Sequence, residues 1–220
     1  MNVEDILAKL VGFPVLGGES NLEIIYWIKN YIETFGVETT LVPNKEETKA
    51  SLHCKIGPAI DGGVILSGHT DVVPVEGQDW HTDPFTLVKK DGKLFARGSA
   101  DMKGFIACCL ATLPTLSKAH LKKPIYFAFS YDEEIGCVGV RGLLTLLEQL
   151  PVRPAMCIVG EPTSMQVVIG HKGKASYRVQ VTGHACHSGQ APLGVKAVEY
   201  GARLGFSSNN TALQRAVKDN

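Results

Sequence analysis

Four apolar runs in this chain each lead directly into a short acidic or histidine-bearing segment, and this repeated plan constrains the fold more than any other feature. Val64-Ile65-Leu66 precedes Gly68-His69-Thr70-Asp71-Val72-Val73-Pro74, and a short strand ending at Ala96 precedes Arg97-Gly98-Ser99-Ala100-Asp101-Met102-Lys103-Gly104. Ile125-Tyr126-Phe127-Ala128-Phe129 runs into Ser130-Tyr131-Asp132-Glu133-Glu134-Ile135-Gly136, and Met156-Cys157-Ile158-Val159 precedes Gly160-Glu161-Pro162-Thr163. Short apolar runs rich in β-branched and aromatic residues read as buried strands. Open α/β sheets bind ligands outside the carboxyl ends of their strands. The plan therefore predicts an α/β fold in which four strand exits converge on one cleft.

The residue types at those exits suit a hydrolytic metal site, which needs an imidazole and several carboxylate oxygens. His69 and Asp71 are two residues apart, so along an extended chain their side chains project to the same side. Taken alone they read better as a strand-end hydrogen-bonded pair. Asp101, Glu133, Glu134 and Glu161, taken singly, read as solvated loop charges or helix caps, and Asp101 is well placed to cap a helix opening near Phe105. Their co-occurrence at four exits favours a common site. Adjacent carboxylates such as Glu133 and Glu134 beside a buried strand call for a nearby cation, which a metal pair would supply.

Composition bounds the partners. The 220 residues are 45% hydrophobic, enough for a substantial core, and Lys plus Arg equals Asp plus Glu at 22 each. Nothing in that balance suggests long-range attraction to nucleic acid or to an anionic membrane, so a small-molecule partner is expected. No apolar segment is long enough to span a bilayer, and the start Met1-Asn2-Val3-Glu4-Asp5 lacks a basic, then apolar leader, giving an expectation of a cytoplasmic protein. The six cysteines, 54, 108, 109, 137, 157 and 186, show no Cys-x-x-Cys spacing and sit mostly in apolar runs, as buried thiols do. His53-Cys54 reads as packing within a short strand.

Periodicity predicts amphipathic helices over 2–10 and 21–35, the second capped at Ser20. It predicts strands over 39–43 and 51–56, and a hairpin of 85–88 with 93–96 around Lys90-Asp91-Gly92. Residues 166–173 suggest a crossing strand or hinge, 175–182 alternate as a half-solvated strand does, and 194–204 have a helical pattern. A domain boundary is expected near Gly170.

With these segments quoted, the chain resembles the dinuclear zinc aminoacylase and deacetylase family of metallopeptidases, from the first helix to about Leu204. The resemblance implies a central mixed sheet flanked by helices, a catalytic metal-binding domain over 1–170, and over 171–220 the start of an inserted smaller α+β lid and dimerisation domain. It implies that His69 binds one metal, Asp101 bridges two, Glu134 binds the second and Glu161 completes the first. Asp71 orients His69 and Glu133 is the general base. His187, in Gly183-His184-Ala185-Cys186-His187-Ser188, would reach a partner subunit's site in a homodimer, the alternative being that His184 and His187 are ordinary loop histidines. The cofactor would be Zn²⁺ or Co²⁺ and the reaction hydrolysis of the acetyl group from N2-acetyl-L-ornithine, with desuccinylation or dipeptide cleavage as neighbouring variants and a catalytically silent remnant as a second class. Residues 205–220 depart from the family's pattern, which gives the expectation of an N-terminal portion with one tight metal and reduced turnover.

Overall fold

A computed structural model describes residues 1–170, 172–173 and 177–218. Two compact units divide the chain, Met1–Val167 and Val168–Asn220.

The first unit is built on a five-stranded sheet. Its strands are β1 (Thr39–Pro43), β2 (Ala50–Ile56), β3 (Val64–His69), β6 (Ile125–Ser130) and β7 (Met156–Val159), in the order β1-β2-β6-β3-β7. β1, β2 and β6 pair antiparallel, whereas β3 runs parallel to both β6 and β7. A separate hairpin joins β4 (Val88–Lys90) to β5 (Lys93–Phe95). Its turn is the anticipated Asp91-Gly92, with both residues at positive φ as such a turn requires. The first arm of the hairpin begins at Val88 rather than Phe85, because Thr86 instead closes a turn onto Asp83.

Helices cover both faces of the sheet, and β6 shows why. Phe127 and Phe129 point into a core made with Leu52, Cys54, Ile106 and Leu110, while Tyr126 and Ala128 point the other way, onto Ile65 and Leu143. The period-two alternation is apolar on both sides, the pattern of a central strand. Helices α1 (Val3–Val11), α2 (Leu22–Glu33) and α3 (Lys103–Leu116) supply the larger core with Ile6, Leu10, Ile24, Ile28, Ile32 and Leu113, all fully buried. Each such side chain contributes roughly 1.5–3 kcal/mol relative to exposure. Helix α4 (Val140–Glu148) covers the opposite face through Leu143.

Local sequence accounts for the helix starts unevenly. Asn2 and Asp5 form a reciprocal capping box at α1. At α2 the cap position is Asn21 rather than Ser20, and its side chain makes no cap bond. The amide of Asn21 is instead drawn into the interior, accepting from the Ala50 N–H at 2.9 Å and donating to the Ala50 carbonyl at 2.8 Å. Asp101 does not cap α3 either: the cap residue is Met102, without a side-chain bond.

Within the second unit, a 3-10 helix spans Ser188–Leu193 and α5 spans Ala197–Lys218, extending well past the helical pattern expected to end at Leu204. His184 and Val195 form an isolated antiparallel bridge. The strands expected over 166–173 and 175–182 are absent from their described residues, and His171, Lys174, Ala175 and Ser176 lie outside the described set. Alternation without a neighbouring strand to pair with does not make a sheet. Among the described residues no helix is long and apolar enough to cross a membrane.

Candidate metal centre

Three of the four strand exits meet because β3, β6 and β7 are parallel. Their carboxyl ends share one sheet edge and deliver His69, the Asp132–Glu134 turn and Glu161 there. Backbone bonds continue the ladder past the strands: Thr70 N–H donates to the Ser130 carbonyl at 2.9 Å, and Gly160 N–H to the Ser67 carbonyl at 3.0 Å. The fourth residue, Asp101, does not come from the main sheet. It arrives on the loop between β5 and α3, a loop closed by Lys103 N–H donating to the Gly98 carbonyl at 2.8 Å.

His69 is the hub. Its side chain is 1% exposed, and its Nε2 lies 3.2 Å from Asp101 Oδ1, 3.7 Å from Glu161 Oε1 and 3.9 Å from Glu133 Oε2. On the other side of the ring, Nδ1 lies 2.9 Å from the Asp71 backbone carbonyl and 3.5 Å from Asp71 Oδ1. A carbonyl can only accept, so Nδ1 carries the proton, and in the neutral ring the Nε2 lone pair faces the carboxylates. That is the tautomer a metal ligand needs. Asp71 was expected to orient His69 through its carboxylate, but the closer partner is its main-chain oxygen. The Asp71 carboxylate is used elsewhere: Oδ1 accepts the Glu133 N–H and Oδ2 the Glu134 N–H, both at 3.2 Å.

The electrostatics describe a centre short of positive charge. Burial works against protonating His69, yet Asp71, Glu161 and Glu133 outweigh it and raise the imidazole to about 9. Burial likewise disfavours the Asp71 anion, but His69 and the two N–H donors hold its carboxyl below the usual range. Glu134 and Glu161 are both raised, first by burial, with the negative charge of Asp101 adding to it. Carboxylates that depress one another's ionisation around one imidazole fit a site completed by a cation.

Two ligand groupings fit such an ion: His69, Asp101 and Glu161, and His69, Glu133 and Glu134, the offered atoms of each lying within 4.8 Å of one another. One imidazole nitrogen with carboxylate oxygens is a donor set suited to a divalent metal ion. The first grouping contains the three residues anticipated for one metal. The second joins Glu134 to Glu133 and His69 rather than to Asp101.

Several supporting residues were not anticipated. Thr70 is fully buried between the two flanking site residues, donating its hydroxyl to the Ser130 carbonyl at 3.0 Å and receiving the Asn21 amide at 3.2 Å. Lys103 is fully buried and donates to the Phe13 carbonyl at 2.7 Å; burial lowers its ammonium to about 8, with the Asp71 charge pulling the other way. Gly17 brings the backbone so close that a Cβ there would lie 2.9 Å from Ile135 Cγ2 and 3.6 Å from Asp71 Oδ2. The sequence signal for these was weak, since a threonine in a strand exit and a lysine in a first helical turn are ordinary surface choices. Of the six cysteines, only Cys54 and Cys109 are buried and all six are free, so the expectation that most are core thiols is corrected. His53 does pack, stacked on Tyr126 with centroids 5.8 Å apart. His187 lies in the second unit, where its Nδ1 accepts the Gly189 N–H at 3.1 Å.

A mixed sheet that gathers an imidazole and carboxylates at the carboxyl ends of its parallel strands, joined there by Asp101, has the makings of a divalent-metal centre. Residues 65–219 match the model of peptidase family M20/M25/M40, so the departure expected from residue 205 onward is corrected, and the chain belongs to that family. It is 40% identical over 183 residues to acetylornithine deacetylase of Shigella sonnei and 38% identical over 182 residues to that of Proteus mirabilis. Each alignment covers 82% of this chain and 46% of the relative, so the chain spans about half the length of these curated relatives. Among solved structures, a tripeptidase from Staphylococcus aureus superposes with a TM-score of 0.65 at 18% identity, covering 92% of this chain and 54% of that one. A metallo-carboxypeptidase from Sulfolobus solfataricus gives 0.63 at 23% identity, with 73% and 37% covered. These two likenesses concern the fold.

Proposed function

We propose that the first unit is the metal-binding part of an amidohydrolase that removes the acetyl group from N2-acetyl-L-ornithine, giving L-ornithine and acetate. The observation that carries the reading is the convergence of His69, Asp101 and Glu161, and of His69, Glu133 and Glu134, on shared ion-sized positions. The substrate is taken from the relatives, both named acetylornithine deacetylase.

His69, Asp101 and Glu161 would hold a first zinc or cobalt ion, Glu134 would hold a second, and Asp101 would serve both. A divalent ion at such a centre supplies Lewis acidity, polarising the scissile carbonyl and making nearby water more acidic. Glu133 takes the proton from the attacking water and returns it to the amine nitrogen as the amide bond breaks. Its backbone is set for this by the Asp71 carboxylate. Asp71 also fixes the His69 ring through its main-chain carbonyl. Balance requires only this one shuttled proton: water gives its oxygen and one hydrogen to the acetyl carbon, and the other hydrogen leaves on the amine. No covalent link to the protein forms.

The second unit is assigned as part of a lid and dimerisation domain, with His187 reaching a partner subunit's site to stabilise the tetrahedral oxyanion. A role in arginine biosynthesis goes with the same substrate assignment, and a cytoplasmic location is proposed beside it.

Acetate release from N2-acetyl-L-ornithine with added zinc or cobalt tests the reading, with Glu133→Gln as the blank. Loss of a general base is expected to cost about 10²–10⁴-fold in turnover. Equal activity in the Glu133→Gln variant, or no activity in either under any metal, would overturn it.

A further inference from the structure

We propose that Lys49 and Asp132 form a clamp, remote from the reacting atoms, that positions the Glu133–Glu134 turn; the functional consequence rests on the metal-centre reading above. Lys49 stands at the entrance to β2 and is 9% exposed, an unusual place for an ammonium. Its Nζ lies 2.6 Å from Asp132 Oδ2, and the two side chains are 11% and 8% exposed. The other oxygen, Asp132 Oδ1, accepts the Gly18 N–H at 2.8 Å. Asp132 therefore spans three segments: the loop before α2, the entrance to β2 and the exit of β6.

The turn that follows is held at further points. Asp132 has φ +53°, a left-handed conformation that persists only where surroundings hold it. Glu133 and Glu134 give their N–H groups to the two oxygens of Asp71, while the Glu133 carbonyl accepts from Gly136 and Cys137 at 3.0 Å each. The Val138 N–H returns to the Asp132 carbonyl at 3.1 Å. Asp71 grips the turn from its centre and the Lys49–Asp132 pair grips its first residue. Rotation of the Asp132 backbone would break either the ion pair or the Gly18 bond.

Stability alone is a poor reason for this pair. Desolvation of two buried charges offsets much of their attraction, and an apolar pair of similar volume would often serve as well. What an ion pair adds is direction, because each carboxylate oxygen has one partner in a fixed place. The arrangement also keeps an extra aspartate beside a carboxylate-rich centre neutralised by its own lysine. Lys49 and Asp132 are positioning residues: they act on the centre through the backbone of Glu133 and Glu134.

The test uses the full 220-residue chain and two readouts. In metal-free protein, hydrogen exchange across 131–138 is expected to quicken in Lys49→Met and in Asp132→Asn, with β3 and β6 unchanged. Cobalt titration is expected to show about tenfold weaker binding in both, the usual scale for residues that support metal ligands. Lys49→Arg should restore both readouts, and the double variant should be no worse than the worse single, since the two act as one unit. Lys29→Met, which removes an exposed helix pair with Glu33, serves as the unchanged control. Should Lys49→Met not fold, Asp132→Asn, which preserves side-chain size, carries the comparison. Exchange and cobalt affinity equal to the unsubstituted chain would overturn the clamp, as would loosening spread equally over the sheet. If the unsubstituted chain takes up no cobalt while 131–138 still loosens in the variants, the clamp stands and the metal reading falls.

Discussion

Gly160 leaves the centre no slack. A Cβ at this position would lie 2.0 Å from the Phe105 ring, and the next residue is the ligand candidate Glu161. Gly160→Ala is expected to displace one or the other, costing about 1–3 kcal/mol by overpacking and weakening zinc binding. Urea unfolding and zinc titration of the same variant check both halves. A second residue-scale effect concerns pH. Burial, with a smaller contribution from Lys55, holds His53 below its ordinary value of 6.5. The unfolded chain therefore takes up a proton near pH 6.5 that the folded chain refuses. Stability is complete above that value and declines as pH falls through it toward the folded pKa. Urea midpoints at pH 7.5 and pH 5.5 should differ less in His53→Phe than in the unsubstituted chain, provided the variant folds as before.

At the scale of elements, β6 and β7 behave oppositely. β6 is covered on both faces, whereas Met156, Ile158 and Val159 of β7 are 57%, 44% and 57% exposed on an outer strand of the sheet. Parallel strands are ordinarily buried on both faces, and a bare apolar edge is a template for pairing. The chain is expected to self-associate at micromolar concentration, and Ile158→Lys to reduce this, as light scattering after gel filtration would show. Elements were largely legible from the sequence. β1 and β6 fall where alternation placed them, and α1 is offset by one residue. The failures share a cause. Residues 166–170 and 177–182 have strand-like patterns but no pairing partner among the described residues, and pairing, unlike helix hydrogen bonding, is not local. The cap expected at Ser20 missed for a related reason: the cap position is Asn21, and its side chain is bound to Ala50, a residue 29 positions away.

For the molecule as a whole, a cation should be a structural component as well as a chemical one. Carboxylates of Asp101, Glu133, Glu134 and Glu161 repel one another around His69, so an ion that binds the folded state must stabilise it. Zinc at about a hundredfold excess over its Kd is expected to add about 2.7 kcal/mol of stability. A chelator should remove it, and Glu161→Gln should show much less of it, as thermal unfolding with and without zinc would report. His69, Glu133, Glu134 and Glu161 come together because each follows a strand whose apolar pattern is written locally and a parallel sheet brings such exits to one edge, whereas Asp101 arrives from outside that sheet, on the loop after the β4–β5 hairpin. Their partners were not. That Asp71 spends its carboxylate on the Glu133 and Glu134 amides, that Lys103 reaches Phe13, and that Lys49 reaches Asp132 are facts of positions 62 to 90 residues apart. Local chemistry and period-two alternation determined the strands and the acids at their ends. Only the packed tertiary structure decided which backbone groups and buried charges hold those acids in place, because such bonds join segments whose proximity no local pattern encodes.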